Sequence, residues 1–222
     1  MTPEQITIAL DGDATVSGLW LAPPGAKAAY VFAHGAGAGM GHSFMGAVSA
    51  GLAARGIATL RYQFPSMELG KKRPDPPPVA HAAVRAAVAQ AVERFGSLPL
   101  FAGGKSFGGR MTSQTQAEAP LEDVRGLVFF GFPLHPAGAP SVERAAHLKD
   151  VGIAMLFLQG SNDALADVSL MRPAVAALGR RATLRLFVDA DHSFHVPKRS
   201  GRTNAAVMGE VLDVAAEWMF KT

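Results

Sequence analysis

Residues 101–110 read Phe-Ala-Gly-Gly-Lys-Ser-Phe-Gly-Gly-Arg, and within them Gly104-Lys105-Ser106-Phe107-Gly108 has the spacing G-x-S-x-G directly after the apolar run 98–102. This is the pattern of a nucleophile elbow. In such an elbow a strand turns sharply into a helix and lifts a serine hydroxyl clear of the sheet, and glycines two before and two after the serine leave room for the turn. A chain with 24 glycines produces such spacings without any chemistry, so the pattern needs support from the rest of the sequence.

That support lies downstream. A serine hydroxyl is a poor nucleophile until a histidine takes its proton, and the imidazole works best when an acid fixes its tautomer and stabilises the cation. Residues 152–158 (GIAMLFL) read as a buried strand that empties into Gln159-Gly160-Ser161-Asn162-Asp163. Residues 183–188 (TLRLFV) read as another strand, emptying into Asp189-Ala190-Asp191-His192-Ser193-Phe194. Ser106, Asp163 and His192 thus each follow the carboxyl end of an expected strand, where open α/β sheets place their sites. Asp163 is the expected acid, because Asp167 sits where an Asp caps the helix expected from 168 and Asp189 and Asp191 suit the turn around His192. Of the seven histidines, only His192 has the strand-end placement of a base. His42 and His195 are placed near the mouth of the pocket, and His81 and His147 fall in stretches without partners.

The remaining chain alternates strands and helices. Segments 6–10 and 16–21 alternate around Asp11-Gly12-Asp13 and predict an N-terminal hairpin. Residues 28–33 (AAYVFA) and 57–62 predict central strands, and 127–130 is apolar throughout, as in a parallel sheet covered on both faces. Helical periodicity predicts helices over 45–55, 79–95, 108–119, 168–178 and 204–220. The last carries Val207, Val211, Val214 and Trp218 on one face. The expected fold is α/β, a doubly wound and mostly parallel sheet with an antiparallel N-terminal hairpin. Only residues 133–151 separate two of its strands where a helical lid would insert, so no large lid is expected and the pocket should be open.

Composition bounds the function. With 222 residues, 49% of them apolar, a single domain over 1–222 is expected. Cysteine is absent, which excludes disulfides and a thiolate nucleophile. The N-terminus lacks the basic start and apolar core of a signal peptide and no run reaches membrane-spanning length, so a cytoplasmic protein with no membrane partner is expected. A net charge of +3 is too small for a nucleic-acid surface. Two basic clusters, Lys71-Lys72-Arg73 and Lys198-Arg199 with Arg202, follow strand ends on the side of the triad. They are read as solvated surface, with a positive field that attracts an anionic substrate as the alternative. No H-E-x-x-H pair or compact His/Asp cluster is present, so neither metal nor cofactor is expected. A P-loop is set aside because Pro99 stands where its first glycine belongs.

Together with Arg61-Tyr62-Gln63-Phe64-Pro65, Gly131-Phe132-Pro133-Leu134-His135-Pro136 and the loop His34-Gly35-Ala36-Gly37, these motifs resemble the α/β-hydrolase superfamily, and within it the small lidless proteins related to dienelactone hydrolases. They are most similar to the hydrolase-like family that includes bacterial members and a eukaryotic NSL-complex chromatin subunit. The resemblance implies the chain order serine, acid, histidine that Ser106, Asp163 and His192 follow. It implies an oxyanion hole from the Phe107 N–H and a second N–H from Ala36, with Gly35 or Gly37 as alternatives. His34, Gly35, Gly37 and Lys105 are placed around the substrate, His34 by shaping the loop through hydrogen bonds. The implied activity is serine hydrolysis of a small carboxylic ester or thioester, with a homodimer as an option. A vestigial site on an interaction protein and an acyltransferase are the alternatives.

Overall fold

Short apolar runs that alternate with amphipathic helices must cover a sheet on both faces. The computed structural model describes residues 1–71 and 73–222; Lys72 of the first basic cluster lies outside them. The strands are β1 (Glu4–Ala9), β2 (Thr15–Leu21), β3 (Ala28–Ala33), β4 (Ile57–Tyr62), β5 (Leu100–Lys105), β6 (Val124–Phe130), β7 (Ala154–Gly160) and β8 (Ala182–Phe187). They form one sheet in the order β1-β2-β4-β3-β5-β6-β7-β8. The β1–β2 hairpin and the β2–β4 pair are antiparallel, and β4-β3-β5-β6-β7-β8 run parallel.

The helices are α1 (Ser43–Ala53), the short α2 (Pro65–Glu68), α3 (Pro77–Phe95), α4 (Phe107–Glu118), α5 (Val168–Ala176) and α6 (Asn204–Lys221). Residues alternate between the faces with the strand period of two. In β3, Ala29, Val31 and Ala33 join the core under α3, α4 and α5, whereas Ala28, Tyr30 and Phe32 join the core under α1 and α6. The buried stripe of α6 is Val207, Val211, Leu212, Ala215, Ala216 and Met219, so Val214 and Trp218 of the expected face lie only partly buried at its edge. Each fully buried Val, Leu or Met contributes roughly 1.5–3 kcal/mol, which is enough to hold a helix that would be marginal alone. Residues 131–153 link β6 to β7 and carry only the 3₁₀ segment Glu143–Asp150, so no large lid is present. Among the described residues no helix is long and apolar enough to cross a membrane.

One strand differs from the sequence reading. β5 runs from Leu100 to Lys105, not over 98–102, so Gly103, Gly104 and Lys105 are strand residues paired with Val128, Phe129 and Phe130 of β6. The glycines do not break the strand there, because neighbours on both sides supply the hydrogen bonds. Glycine is required for a steric reason: a Cβ on Gly103, whose φ is +149°, would overlap the Val128 carbonyl oxygen at 1.9 Å.

The histidines read as lacking partners have them. His81 Nδ1 pairs with Glu118 at 2.9 Å, and His147 Nε2 lies 2.8 Å from Ser113 Oγ, tying the 3₁₀ segment to α4. Burial, then the charges of Arg110 and His81, pushes the His147 imidazole down to about 4.

Two predictions follow from the packing. A Cβ on Gly108 would meet the Ala33 and His34 carbonyl oxygens at 2.5 Å each, whereas Gly209 in α6 has open space around it. Gly108→Ala should therefore cost about 3 kcal/mol or more by urea denaturation, and Gly209→Ala should gain about 0.5–1 kcal/mol. The second concerns acid. The unfolded chain protonates His147 near its ordinary value of 6.5, while the folded chain resists until about 4, so its contribution is intact above 6.5 and is lost as the pH falls toward 4. The loss of stability between pH 7 and 4.5 should be smaller in His147→Gln than in the wild type.

Candidate active site

Ser106 sits between β5 and α4 with φ 50° and ψ −114°, a left-handed conformation that costs a non-glycine residue on the order of 1–3 kcal/mol. It is held there by hydrogen bonds from its own N–H to the Phe130 carbonyl and from the Arg110 N–H to its carbonyl. The turn closes because backbone packs directly on backbone. A Cβ on Gly104 would lie 2.5 Å from the Ala33 carbonyl oxygen, and one on Gly109 2.9 Å from the Gly104 carbonyl oxygen. Phe107 opens α4, so its N–H has no partner within the helix.

His192 reaches the same cleft from the loop after β8. Its Nδ1 lies 2.6 Å from Asp163 Oδ2, and the Asp163 side chain is fully buried. Asp163 also accepts from the Leu165 N–H at 2.8 Å and from Gln159 Nε2, so three donors offset the cost of burying the carboxylate. With Nδ1 donating to Asp163, Nε2 is the acceptor left for the cleft. Gln159 in turn accepts from the Phe132 N–H at 2.9 Å, which ties the acid to the turn after β6.

The acid and base loops are stitched together. Asn162 N–H donates to the Ala190 carbonyl, and Asp189 N–H donates to Ser161 Oγ at 2.9 Å. A Cβ on Gly160 would meet the Ala190 and Asp191 carbonyl oxygens at 2.3 and 2.4 Å, so only glycine lets the two loops touch. Asp191 Oδ1 accepts from the Ser193 and His195 N–H groups at 2.8 and 2.9 Å, holding a loop in which Asp189 and Phe194 both have positive φ. Asp167 caps α5 by accepting from the Ser169 N–H at 2.8 Å, hydrogen bonds that also lower its pKa. Of the aspartates weighed, Asp163 is the one brought against His192 Nδ1.

The cleft, about 340 Å³, is lined by Ser106, His192, Gly35, Ala36, Lys105 and the apolar side chains of Phe44, Met45 and Leu165, among others. Gly35 passes over Ser106, since a Cβ on it would sit 3.8 Å from Ser106 Cβ. Among the described residues neither the Ala36 nor the Phe107 N–H donates to a protein acceptor. No hydrogen bond joins Ser106 Oγ to His192 among them either, and such bonds are often long before a substrate binds.

His34 and Gly37 stand outside the wall of this cleft. His34 is buried, its Nδ1 donating to the Gly35 carbonyl at 2.8 Å and its Nε2 accepting from the Phe64 N–H at 3.1 Å. Burial lowers its pKa, so it is a neutral brace with no group left for substrate. Gly37 is an exposed turn with φ 69° and nothing nearby. Gln63 and Arg61, quoted above only as part of a motif and given no role there, hold the rest of this loop through the Met40 N–H at 2.7 Å and the Met40 carbonyl at 3.0 Å. His42 lines the cleft and His195 an adjoining apolar recess. Lys71, Arg73, Lys198, Arg199 and Arg202 line neither, and Arg202 pairs with Glu210. Among the described residues no group of His, Asp and Glu side chains could hold a metal ion.

The model of the alpha/beta hydrolase domain family matches residues 26–220, nearly the whole chain. The chain belongs to this alpha/beta hydrolase family. Solved structures agree with the fold. A dienelactone hydrolase from Anabaena variabilis ATCC 29413 superposes with a TM-score of 0.78 at 21% identity, over 100% of this chain and 99% of that one. A lidless α/β serine hydrolase from Xanthomonas campestris gives 0.73 at 20% identity, over 98% and 95%. The esterase domain of a Rhodothermus marinus protein gives 0.73 at 17%, over 98% of each. Among curated protein sequences no significant match is found.

The Gln159 side chain bridges Asp163 to the β6 turn, so its removal should be felt in stability. Gln159→Leu leaves the buried Phe132 N–H without its acceptor and takes one donor from the buried Asp163 carboxylate, which should cost about 1–3 kcal/mol. Urea denaturation measures it, and an unchanged midpoint would mean that the amide bridge contributes nothing.

Proposed function

We propose that the protein is a serine hydrolase that cleaves small carboxylic esters or thioesters through an acyl-enzyme. The observation that carries this reading is the buried Asp163 hydrogen-bonded to His192 Nδ1, with His192 opening on the same cleft as the strained Ser106. The names of similar structures, a dienelactone hydrolase and an esterase domain, support it.

In this mechanism His192 Nε2 takes the Ser106 proton as Oγ attacks the acyl carbon, and Asp163 stabilises the imidazolium. The carbonyl oxygen becomes an oxyanion, and the Ala36 and Phe107 N–H groups receive it; such preorganised donors are worth roughly 2.7–4 kcal/mol each. The imidazolium then protonates the departing alkoxide or thiolate. Water enters the open cleft, gives its proton to His192 and attacks the acyl-Ser106 ester, and the second tetrahedral intermediate releases the acid and restores the serine. The lining favours a short apolar acyl group, since Ala36, Ala38, Phe44, Met45 and Leu165 surround the nucleophile. The basic clusters lend no support to an anionic substrate, because none of their described residues lines the cleft.

The test uses p-nitrophenyl acetate and butyrate. Ser106→Ala should fold and lose about 10⁴–10⁶ in turnover, and a fluorophosphonate should label the wild type at Ser106 alone. Asp163→Asn should cost about 10⁴, with Asp167→Asn and Asp189→Asn much closer to wild type. Activity within about tenfold of wild type in Ser106→Ala would overturn the reading.

A further inference from the structure

Lys105 immediately precedes the nucleophile, and its side chain is 8% exposed. Its Nζ donates to the backbone carbonyl of His192 and lies 5.3 Å from the centre of the Phe44 ring and 5.9 Å from that of Phe194. Among the described residues no carboxylate stands within ion-pair distance of it. The ammonium is therefore held by one carbonyl and two ring faces, a weak return for the desolvation of a charge.

Other segments make room for this arrangement. Gly131, in the turn after β6, has φ 69°, and a Cβ there would lie 2.8 Å from Lys105 Nζ, 3.0 Å from the His192 carbonyl oxygen and 3.2 Å from His192 Cε1. α1 supplies Phe44 at its first turn, and the β8 loop supplies Phe194 in a left-handed conformation. The titratable groups that face the pocket of the ammonium are Asp163 from the β7 loop, Asp191 and His192 from the β8 loop and His42 from the start of α1. Burial pushes Lys105 down to about 7, opposed by the Asp163 and Asp191 carboxylates.

We propose that Lys105 is a positioning residue for the general base: packed beside the stacked Phe44 and Phe194 rings, its Nζ–H fixes the His192 carbonyl and so holds the imidazole in place beside Ser106. Asp163 fixes the ring at Nδ1, but a ring on a strained loop can still swing with its backbone. Lys105 arrests the backbone. The inference rests on the serine-hydrolase reading for its kinetic consequence and on the His192 contacts alone for its structural one.

Lys105→Met removes the charge and the donor while filling the slot. The variant should fold, with a urea midpoint equal to or above that of wild type, because a buried cation is gone. Its kcat on p-nitrophenyl butyrate should fall about 10–100-fold, the effect of displacing a reacting group by about an ångström, while KM stays within about twofold. The acid limb of the pH–rate profile should move upward, since no cation opposes the imidazolium. The low-field proton signal of His192 Nδ1–H should broaden through exchange with water. Phe44→Leu, which removes one of the two rings packed beside the ammonium, should broaden the same signal to a lesser degree and decides the matter if Lys105→Met does not fold. A sharp, unshifted Nδ1–H signal in these variants, with kcat within twofold and an unmoved pH profile, would overturn the proposal. Should the wild type hydrolyse no ester, the hydrolase reading fails separately and the proton signal alone decides the role of Lys105.

Discussion

The nucleophile-elbow turn depends on a close contact between stretches of bare backbone. The elbow of Gly104 to Gly108 lies so near the end of β3 that a methyl group at either glycine would sit 2.5 Å from the Ala33 carbonyl oxygen. Everything chemical in the site hangs on that approach. It brings Ser106 under the loop that begins at His34, where a Cβ on Gly35 would sit 3.8 Å from Ser106 Cβ. A strained serine persists only where its surroundings over-determine it, and here the strand on one side and the helix on the other both claim its backbone. The strain of φ 50° is thus carried by the sheet, not by the site.

A similar constraint operates where Asp163 meets His192. Gly160 lets β7 end against the Ala190 and Asp191 carbonyls, and from that contact the acid and base loops are set relative to one another. Asp163 then needs only a short turn to reach His192 Nδ1. Gln159 links the pair to the β6 turn through the Phe132 N–H, so three consecutive strand ends, β6, β7 and β8, share one hydrogen-bonded network. Such networks are rigid when every member is satisfied, and rigidity is what a positioned base requires.

The parts of the molecule legible in the sequence are those where one physical cause dominates. The strand at 28–33 is uniformly apolar and the one at 57–62 is apolar but for Thr59 and Arg61, because both faces are buried, and the pattern announces them to the residue. Asp163 and His192 were recoverable because strand ends in this topology face one side of the sheet. The upper end of β5 was not, since Gly103 and Gly104 read as a turn while their true role is to let Val128 and Ala33 approach. His34 was placed around the substrate as a residue that shapes the glycine loop through hydrogen bonds; it makes those bonds, to the Gly35 carbonyl and the Phe64 N–H, but does not line the cleft. Gln159 and Gln63 carry no pattern at all; a glutamine just past an apolar strand gains meaning only when the backbone groups it satisfies are known. The Lys and Arg clusters follow strand ends in the sequence, but topology does not say how far from Ser106 a loop travels, and their described residues line neither recess.

The charges around the nucleophile obey one electrostatic requirement. Attack by Ser106 would create an imidazolium and an oxyanion in a cleft whose walls are largely apolar, where separated charges interact strongly. The imidazolium forms with its Nδ1 already against a carboxylate that three donors hold in place. The oxyanion forms where backbone N–H groups have no competing acceptor. Neither partner has to reorganise when the charge appears, and the cost of arranging them is met at folding, by burying Asp163 and by straining Ser106. A cleft of the same residues with a mobile acid or an occupied N–H would meet that cost in every turnover instead.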